Sequence, residues 1–73
     1  MDATIIEGNL AKAERHVSEG LRHVHEQRER VASLRQEGHD TDLSRALLSQ
    51  FEILLALHMQ DRERLLAALQ KIW

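Results

Sequence analysis

The sequence contains neither cysteine nor proline, and its Phe, Tyr and Trp residues are limited to Phe51 and Trp73. Because there is no cysteine, no disulfide can stabilise the fold, and a chain without disulfides is typical of a reducing compartment. The chain also lacks a run of about 18 apolar residues and a charged-then-apolar leader, so we expect neither a membrane span nor secretion. These absences together predict a soluble cytoplasmic protein with no membrane partner.

The absence of proline, together with many Ala, Leu, Glu, Gln and Arg residues, is typical of a helical protein. The chain has 73 residues and a mass of 8.5 kDa, which leaves room for one small domain over residues 1–73. A single core of this size rarely supplies more than about 3–5 kcal/mol, so a metal or a partner chain usually supplements it when disulfides are absent. The sequence therefore predicts an all-α domain that needs additional stabilisation.

Neither sign of charge is in strong excess, since the formal net charge is −2 at pH 7. Nucleic-acid binding depends largely on neutralising phosphates with Lys and Arg, so we expect no nucleic-acid partner. Four arginines fall in the second half of the first predicted helix, but glutamates are interspersed among them, which favours a solvated charged face over a nucleic-acid site. These residues are Arg22, Arg28, Arg30 and Arg35.

A seven-residue unit is repeated three times over residues 14–34. Apolar or small residues recur at alternating intervals of four and three from Ile6 to Leu34, which is typical of a helix packed along one partner helix. Gly20 falls in this seam, although a glycine inside a helix costs about 1 kcal/mol relative to alanine. We predict that Gly20 lies at the closest approach of the two helices, beneath a bulky side chain near His58. The whole seam comprises Ile6, Leu10, Ala13, Val17, Gly20, Val24, Gln27, Val31 and Leu34.

Local signals mark the ends of the first helix. Thr4 and Glu7 fit a capping box, in which both side chains accept bonds from free backbone donors of the first turn. Gly38 suits the left-handed residue of a Schellman cap. The first helix is therefore predicted over about 4–37.

A second helix is predicted over about 42–73, with Asp40 or Thr41 as its N-cap. The turn between the helices, over about 38–41, is so short that the helices must be antiparallel. The predicted fold is an antiparallel two-helix hairpin.

The second helix carries apolar residues around more of its circumference than one facing helix can cover. The stripe expected to face the first helix comprises Leu48, Phe51, Leu55, His58, Arg62, Leu65, Leu69 and Ile72. Outside it lie Ile53, Leu66 and a second stripe formed by Leu43, Leu47, Leu54 and Leu57. An uncovered apolar stripe of this length normally marks a protein interface. We predict that it joins two hairpins as a homodimer, forming a four-helix bundle.

His58 falls at the centre of the facing stripe, within about a turn of Gly20 and Gln27 by counting back through the predicted turn. We expect it to form a polar layer with Arg62 and with Gln27 or His23, since a polar layer fixes the register of many bundles. The alternative is a histidine whose protonation near neutral pH loosens the interface.

His16 and His23 occupy equivalent places in successive repeats. Seven residues of helix span about 10 Å, too far for both imidazoles to share one zinc ion at ligand bonds of about 2.0–2.1 Å. A metal site would instead combine Glu19, His23 and His58 with ligands from a second chain. The simpler interpretation is that these histidines flank the seam and hydrogen-bond across it.

The sequence shows no nucleophile–base pattern, no glycine-rich phosphate loop and no paired carboxylates, which are the usual signs of catalysis. We therefore expect neither enzyme activity nor a cofactor. The pattern favours a non-enzymatic helical oligomerisation or interaction module, with a metal-binding helical bundle as the alternative.

The run HVxxGxxHVxxQ over residues 16–27 and the GHDT turn over residues 38–41 resemble a group of short uncharacterised bacterial helical-hairpin proteins. The resemblance covers residues from about 10 to 70. It implies a small soluble bacterial protein, and it carries over no catalytic or binding residue.

Overall fold

The computed structural model describes residues 2–72, which form two helices joined by a short turn. Helix α1 spans Ala3–Gln36 and helix α2 spans Asp42–Ile72. The two helices pack against each other along their lengths, so the predicted all-α hairpin is confirmed. The predicted bounds agree with the observed ones to within one residue, although the predicted end of the second helix at residue 73 lies outside the described residues.

The start of α1 differs from the predicted capping box. Asp2 is the N-cap, and its Oδ1 accepts a hydrogen bond of 2.9 Å from the backbone N–H of Thr4. Thr4 therefore lies inside the helix, and the prediction that it caps α1 with Glu7 is wrong. The reason is physical, since an aspartate two residues earlier offers a better acceptor to the same orphan donors.

Helix α1 ends in a Schellman cap, as predicted from Gly38. The backbone N–H of His39 bonds to Leu34 at 2.9 Å, and that of Gly38 bonds to Arg35 at 3.1 Å, which is the pair of bonds that defines this motif. Gly38 has a φ of 75°, a left-handed conformation that glycine adopts without strain. The chain therefore reverses within a few residues.

Both residues proposed as the cap of α2 take part in its start. The carbonyl of Thr41 accepts the first helical bond, 2.8 Å from the N–H of Arg45. The Oδ1 of Asp40 accepts from the N–H of Asp42 at 2.9 Å. One orphan donor of the helix is thus satisfied by a side chain and the first turn is fixed by the backbone.

The seam between the helices follows the predicted heptad. Every seam residue predicted on α1 is buried or half-buried, and so are the predicted residues of α2 from Leu48 to Leu69. Ile72 is exposed, contrary to the prediction. The first seam residue of α1, Ile6, already packs with Leu65 and Leu69, so the seam offers no further apolar partner to Ile72. The buried residues among those described are Ile6, Ala13, Val17, Val24, Gln27, Val31 and Leu65.

Gly20 lies in the seam beneath Leu55, a side chain one turn from His58, as predicted. A Cβ built on Gly20 would meet Leu55 Cδ1 at 3.1 Å and the Cα of Leu55 at 3.7 Å. The backbone of α2 therefore approaches α1 closely here, as expected for a small residue at a helix crossing. His58 is one turn further along the same stripe.

The hairpin is a thin rod, with Cα extents of 55 × 13 × 13 Å. Two helices in contact bury only one stripe of each, and the remaining circumference faces solvent. The consequence is a narrow core and a large exposed surface, part of which is apolar.

Candidate interaction surface

Four exposed leucines of α2 form the second stripe that the sequence indicated. Leu47, Leu54 and Leu57 each precede a half-buried seam residue by one position. One position is a rotation of about 100° around the helix, which places these leucines outside the seam. Leu43 is 88% exposed, Leu54 is 49% exposed and Leu57 is 55% exposed. We call Leu43, Leu47, Leu54 and Leu57 the α2 apolar face.

The α2 apolar face lies in a segment with few charges. Between residues 43 and 60, Arg45 and Glu52 are the only Asp, Glu, Lys or Arg residues. Both engage other charges, since Arg45 contacts Asp42 at 3.1 Å and Glu52 contacts Arg28 of α1 at 3.1 Å. Arg45 and Glu52 also precede Leu47 and Leu54 by two residues, or about 200° around the helix, so both charges lie on the other side of α2.

Two further residues belong to this surface and were not assigned to it from the sequence. Ile53 is 58% exposed and extends the apolar area toward the back of α2. Gln50 is exposed at the centre of the α2 apolar face. The signal that identifies both is the scarcity of charged residues over residues 43–60, rather than hydrophobic periodicity alone.

The neighbouring surface of α1 is polar. His23, Glu26 and Arg30 of α1 line a shallow hollow of about 230 Å³ together with Leu47 and Phe51 of α2. The ring of His23 lies 5.5 Å from that of Phe51, between centroids, at an angle of 33°. The α2 apolar face is thus bordered on one side by mixed charges and an imidazole.

His58 contacts His16 across the seam, with ring centroids 4.8 Å apart and an interplanar angle of 43°. The side chain of Gln27 lies elsewhere, since its Nε2 donates to the carbonyl of Ser44 at 2.9 Å. The predicted polar layer of His58 with Gln27 or His23 and Arg62 does not form. The predicted register was correct only to within a turn, and a turn is enough to change the neighbour of each polar side chain.

Gln27 is the one buried polar residue among residues 2–72, with 5% of its surface exposed. Its hydrogen bond to Ser44 explains how the amide is accommodated, because a buried amide without a partner would cost about 1–3 kcal/mol. No buried side-chain nitrogen or oxygen in the described part of the chain lacks a partner.

The structure does not bring the proposed metal ligands together within one chain. Glu19 is exposed on α1, His23 contacts Phe51, and His58 contacts His16. Across residues 2–72, no group of three or more His, Asp or Glu side chains is placed to hold a metal ion. A metal site would therefore need further ligands from another chain.

Two of the four arginines considered for nucleic-acid binding are paired with carboxylates. Arg22 lies 3.4 Å from Glu26, and Arg28 lies 3.1 Å from Glu52. Such exposed ion pairs contribute at most about 1 kcal/mol each. They nevertheless place negative charge beside each of the two cations, which does not favour binding of phosphates.

A second hollow, lined by Lys12, His16, Asp61 and Arg64 among others, has a volume of about 240 Å³. Both hollows are smaller than the roughly 300–1,000 Å³ typical of small-molecule sites. The α2 apolar face is therefore the strongest candidate for a binding surface.

In comparisons with protein-family models, with curated proteins and with solved structures, nothing matches this chain. The resemblance to short bacterial hairpin proteins stays a prediction. Within the described residues, neither helix combines the length and the apolar character needed to cross a lipid bilayer.

Proposed function

We propose that this protein is a non-enzymatic helical interaction module that forms a homodimer through the α2 apolar face. The observation that carries the proposal is the set of leucines exposed on α2 in a segment almost free of charge. Leucines exposed in this way on one face are typical of a protein interface.

The exposed area of the chain supports the same proposal. A compact monomer of 8.5 kDa is expected to expose about 4,650 Å², whereas the hairpin exposes 5533 Å². The excess, about 900 Å², is close to the roughly 800 Å² that each partner contributes to a standard interface. Association of two chains would thus restore an ordinary ratio of surface to mass.

A second copy of the chain is the partner favoured by the nature of the surface. The α2 apolar face carries no charge that would need a complementary partner, and symmetric dimers are the commonest assemblies of small proteins. The proposal includes a cytoplasmic location, which rests on the absence of cysteine.

Sedimentation equilibrium of the purified protein at micromolar concentration tests the proposal. We expect a mass of twice 8.5 kDa for the wild type. Leu54→Asp places a charge in the centre of the buried surface and is expected to weaken association at least about tenfold, since an unpaired buried charge costs more than 1.4 kcal/mol.

Leu21→Asp is the matched control. Leu21 is 51% exposed on α1, close to the 49% of Leu54, so the substitution makes a similar chemical change outside the α2 apolar face. We expect it to leave the mass unchanged, with circular dichroism confirming that both variants are helical. A monomeric wild type with a cooperative melt would overturn the proposal.

A further inference from the structure

The α2 apolar face is nearly symmetric about its centre. Leu43 and Leu57 lie seven residues on either side of Gln50, and Leu47 and Leu54 lie three and four residues on either side. If the helix is reversed about Gln50, leucines again occupy the same positions along its axis to within one residue, or about 1.5 Å. A surface of this kind can pack on a reversed copy of itself, which is the requirement of a two-fold symmetric interface.

The same stripe becomes charged further along α2. Continuing the intervals of four and three beyond Leu57 leads to Asp61 and Arg64. If two α2 helices packed in parallel, each of these side chains would meet its like-charged copy. In an antiparallel pair centred on Gln50, the overlap ends near residues 43 and 57, so both charged residues lie beyond the contact.

Helix α1 offers no matching apolar stripe on this side of the hairpin. The α1 residues beside the α2 apolar face are polar, namely His23, Glu26 and Arg30. A four-helix bundle with four equivalent seams would require an apolar stripe there. The contact between chains therefore involves α2 with α2.

We infer that two copies pack their α2 helices against each other in an antiparallel arrangement, with the two-fold axis at Gln50. This inference rests on the proposed homodimer and specifies its geometry.

Disulfide cross-linking tests this geometry cleanly because the chain has no cysteine of its own. Gln50→Cys is expected to form a disulfide-linked dimer under mild oxidation, since the two copies of residue 50 face each other across the axis. Leu43→Cys alone is expected to cross-link at least about tenfold more slowly, because its copies lie about 21 Å apart along the axis and disulfides require Cα atoms within about 7 Å.

An equimolar mixture of Leu43→Cys and Leu57→Cys supplies the positive counterpart. We expect rapid formation of a mixed disulfide between the two variants, identified by mass spectrometry. Equal oxidation rates of all variants in guanidinium serve as the control for thiol reactivity.

Sedimentation of the reduced variants distinguishes failure of the proposed homodimer from failure of the inferred antiparallel geometry. Monomers would overturn both the proposed function and the inferred geometry. Dimers in which Leu43→Cys links rapidly to itself would retain the proposed function and replace the antiparallel arrangement with a parallel one. Dimers in which none of these positions cross-links would show that another surface forms the contact, and the inference would be wrong.

Discussion

Gly20 illustrates how a single residue sets the distance between the two helices. A mid-helix glycine sacrifices about 1 kcal/mol of helix propensity, and here the missing side chain lets Leu55 lie against the backbone of α1. Gly8 occupies the same helix but has no heavy atom within 4 Å of the position of a Cβ. The two glycines thus differ in packing and not in secondary structure.

We expect Gly8→Ala to stabilise the protein by about 0.5–1 kcal/mol, because only helix propensity changes. Gly20→Ala should gain less, since its methyl group would displace Leu55 Cδ1 by a few tenths of an ångström. Gly20→Leu should lose about 1–3 kcal/mol through overpacking. Thermal and urea unfolding of the three variants measure these differences in the free energy of unfolding.

Gly8→Ala is the control for helix propensity. If Gly20→Leu melts at or above the temperature of the wild type, Gly20 does not lie in a tight seam and the observed register is contradicted.

The position of Gly20 in the seam could be predicted from its place in the heptad, and its cover could be placed near His58 but not assigned to Leu55. Heptad spacing defines which face of a helix is buried, whereas the pairing across a hairpin depends on the geometry of the turn. Counting back through the turn located the neighbours of each polar side chain only to within one turn. Gln27 therefore bonds to the carbonyl of Ser44 instead of joining the predicted polar layer with His58.

At the scale of elements, the ends of the helices are determined by a few capping contacts. The Schellman cap at Gly38 followed from the sequence because a glycine after a long heptad run has one common structural use. The start of α1 was harder to predict, since Asp2 and Thr4 are both good caps and lie two residues apart.

Substitution of the two candidate caps distinguishes them. Asp2→Ala is expected to destabilise the protein by about 0.5–2 kcal/mol, because the N–H of Thr4 loses its acceptor. Thr4→Ala should be neutral or slightly stabilising, since alanine is the better residue inside a helix. Urea unfolding monitored by circular dichroism at 222 nm gives both values.

A larger loss for Thr4→Ala than for Asp2→Ala would restore the capping box of Thr4 and Glu7. The comparison is informative because both substitutions remove a small polar side chain from the same turn.

At the scale of the whole molecule, hydrophobic periodicity predicted both the hairpin and its uncovered stripe. What periodicity could not supply was the extent of that surface, because Gln50 and Ile53 do not fit a simple apolar stripe. The extent of the surface is indicated instead by the distribution of charged residues along α2. The arrangement of two chains depends on this distribution as much as on the leucines.

The antiparallel register also has a consequence for the order of folding. Near the turn, Gln27 and Ser44 are joined across 17 residues of chain, whereas Ile6 packs with Leu65 at the far end of the rod. Closing the longer loop first would cost about 1 kcal/mol more in chain entropy. Contacts near the turn should therefore form early, and those near the ends should form late.

Kinetic measurements on a monomeric background such as Leu54→Asp test this order. Val31→Ala, near the turn, is expected to slow folding with a φ-value above about 0.5, whereas Ile6→Val, near the chain ends, should mainly accelerate unfolding with a φ-value below about 0.3. Stopped-flow chevron plots provide both values, and the reverse ranking would contradict folding from the turn. Because residues 43–57 of α2 adjoin the turn, a chain that has folded only half-way already presents its whole contact surface to another chain.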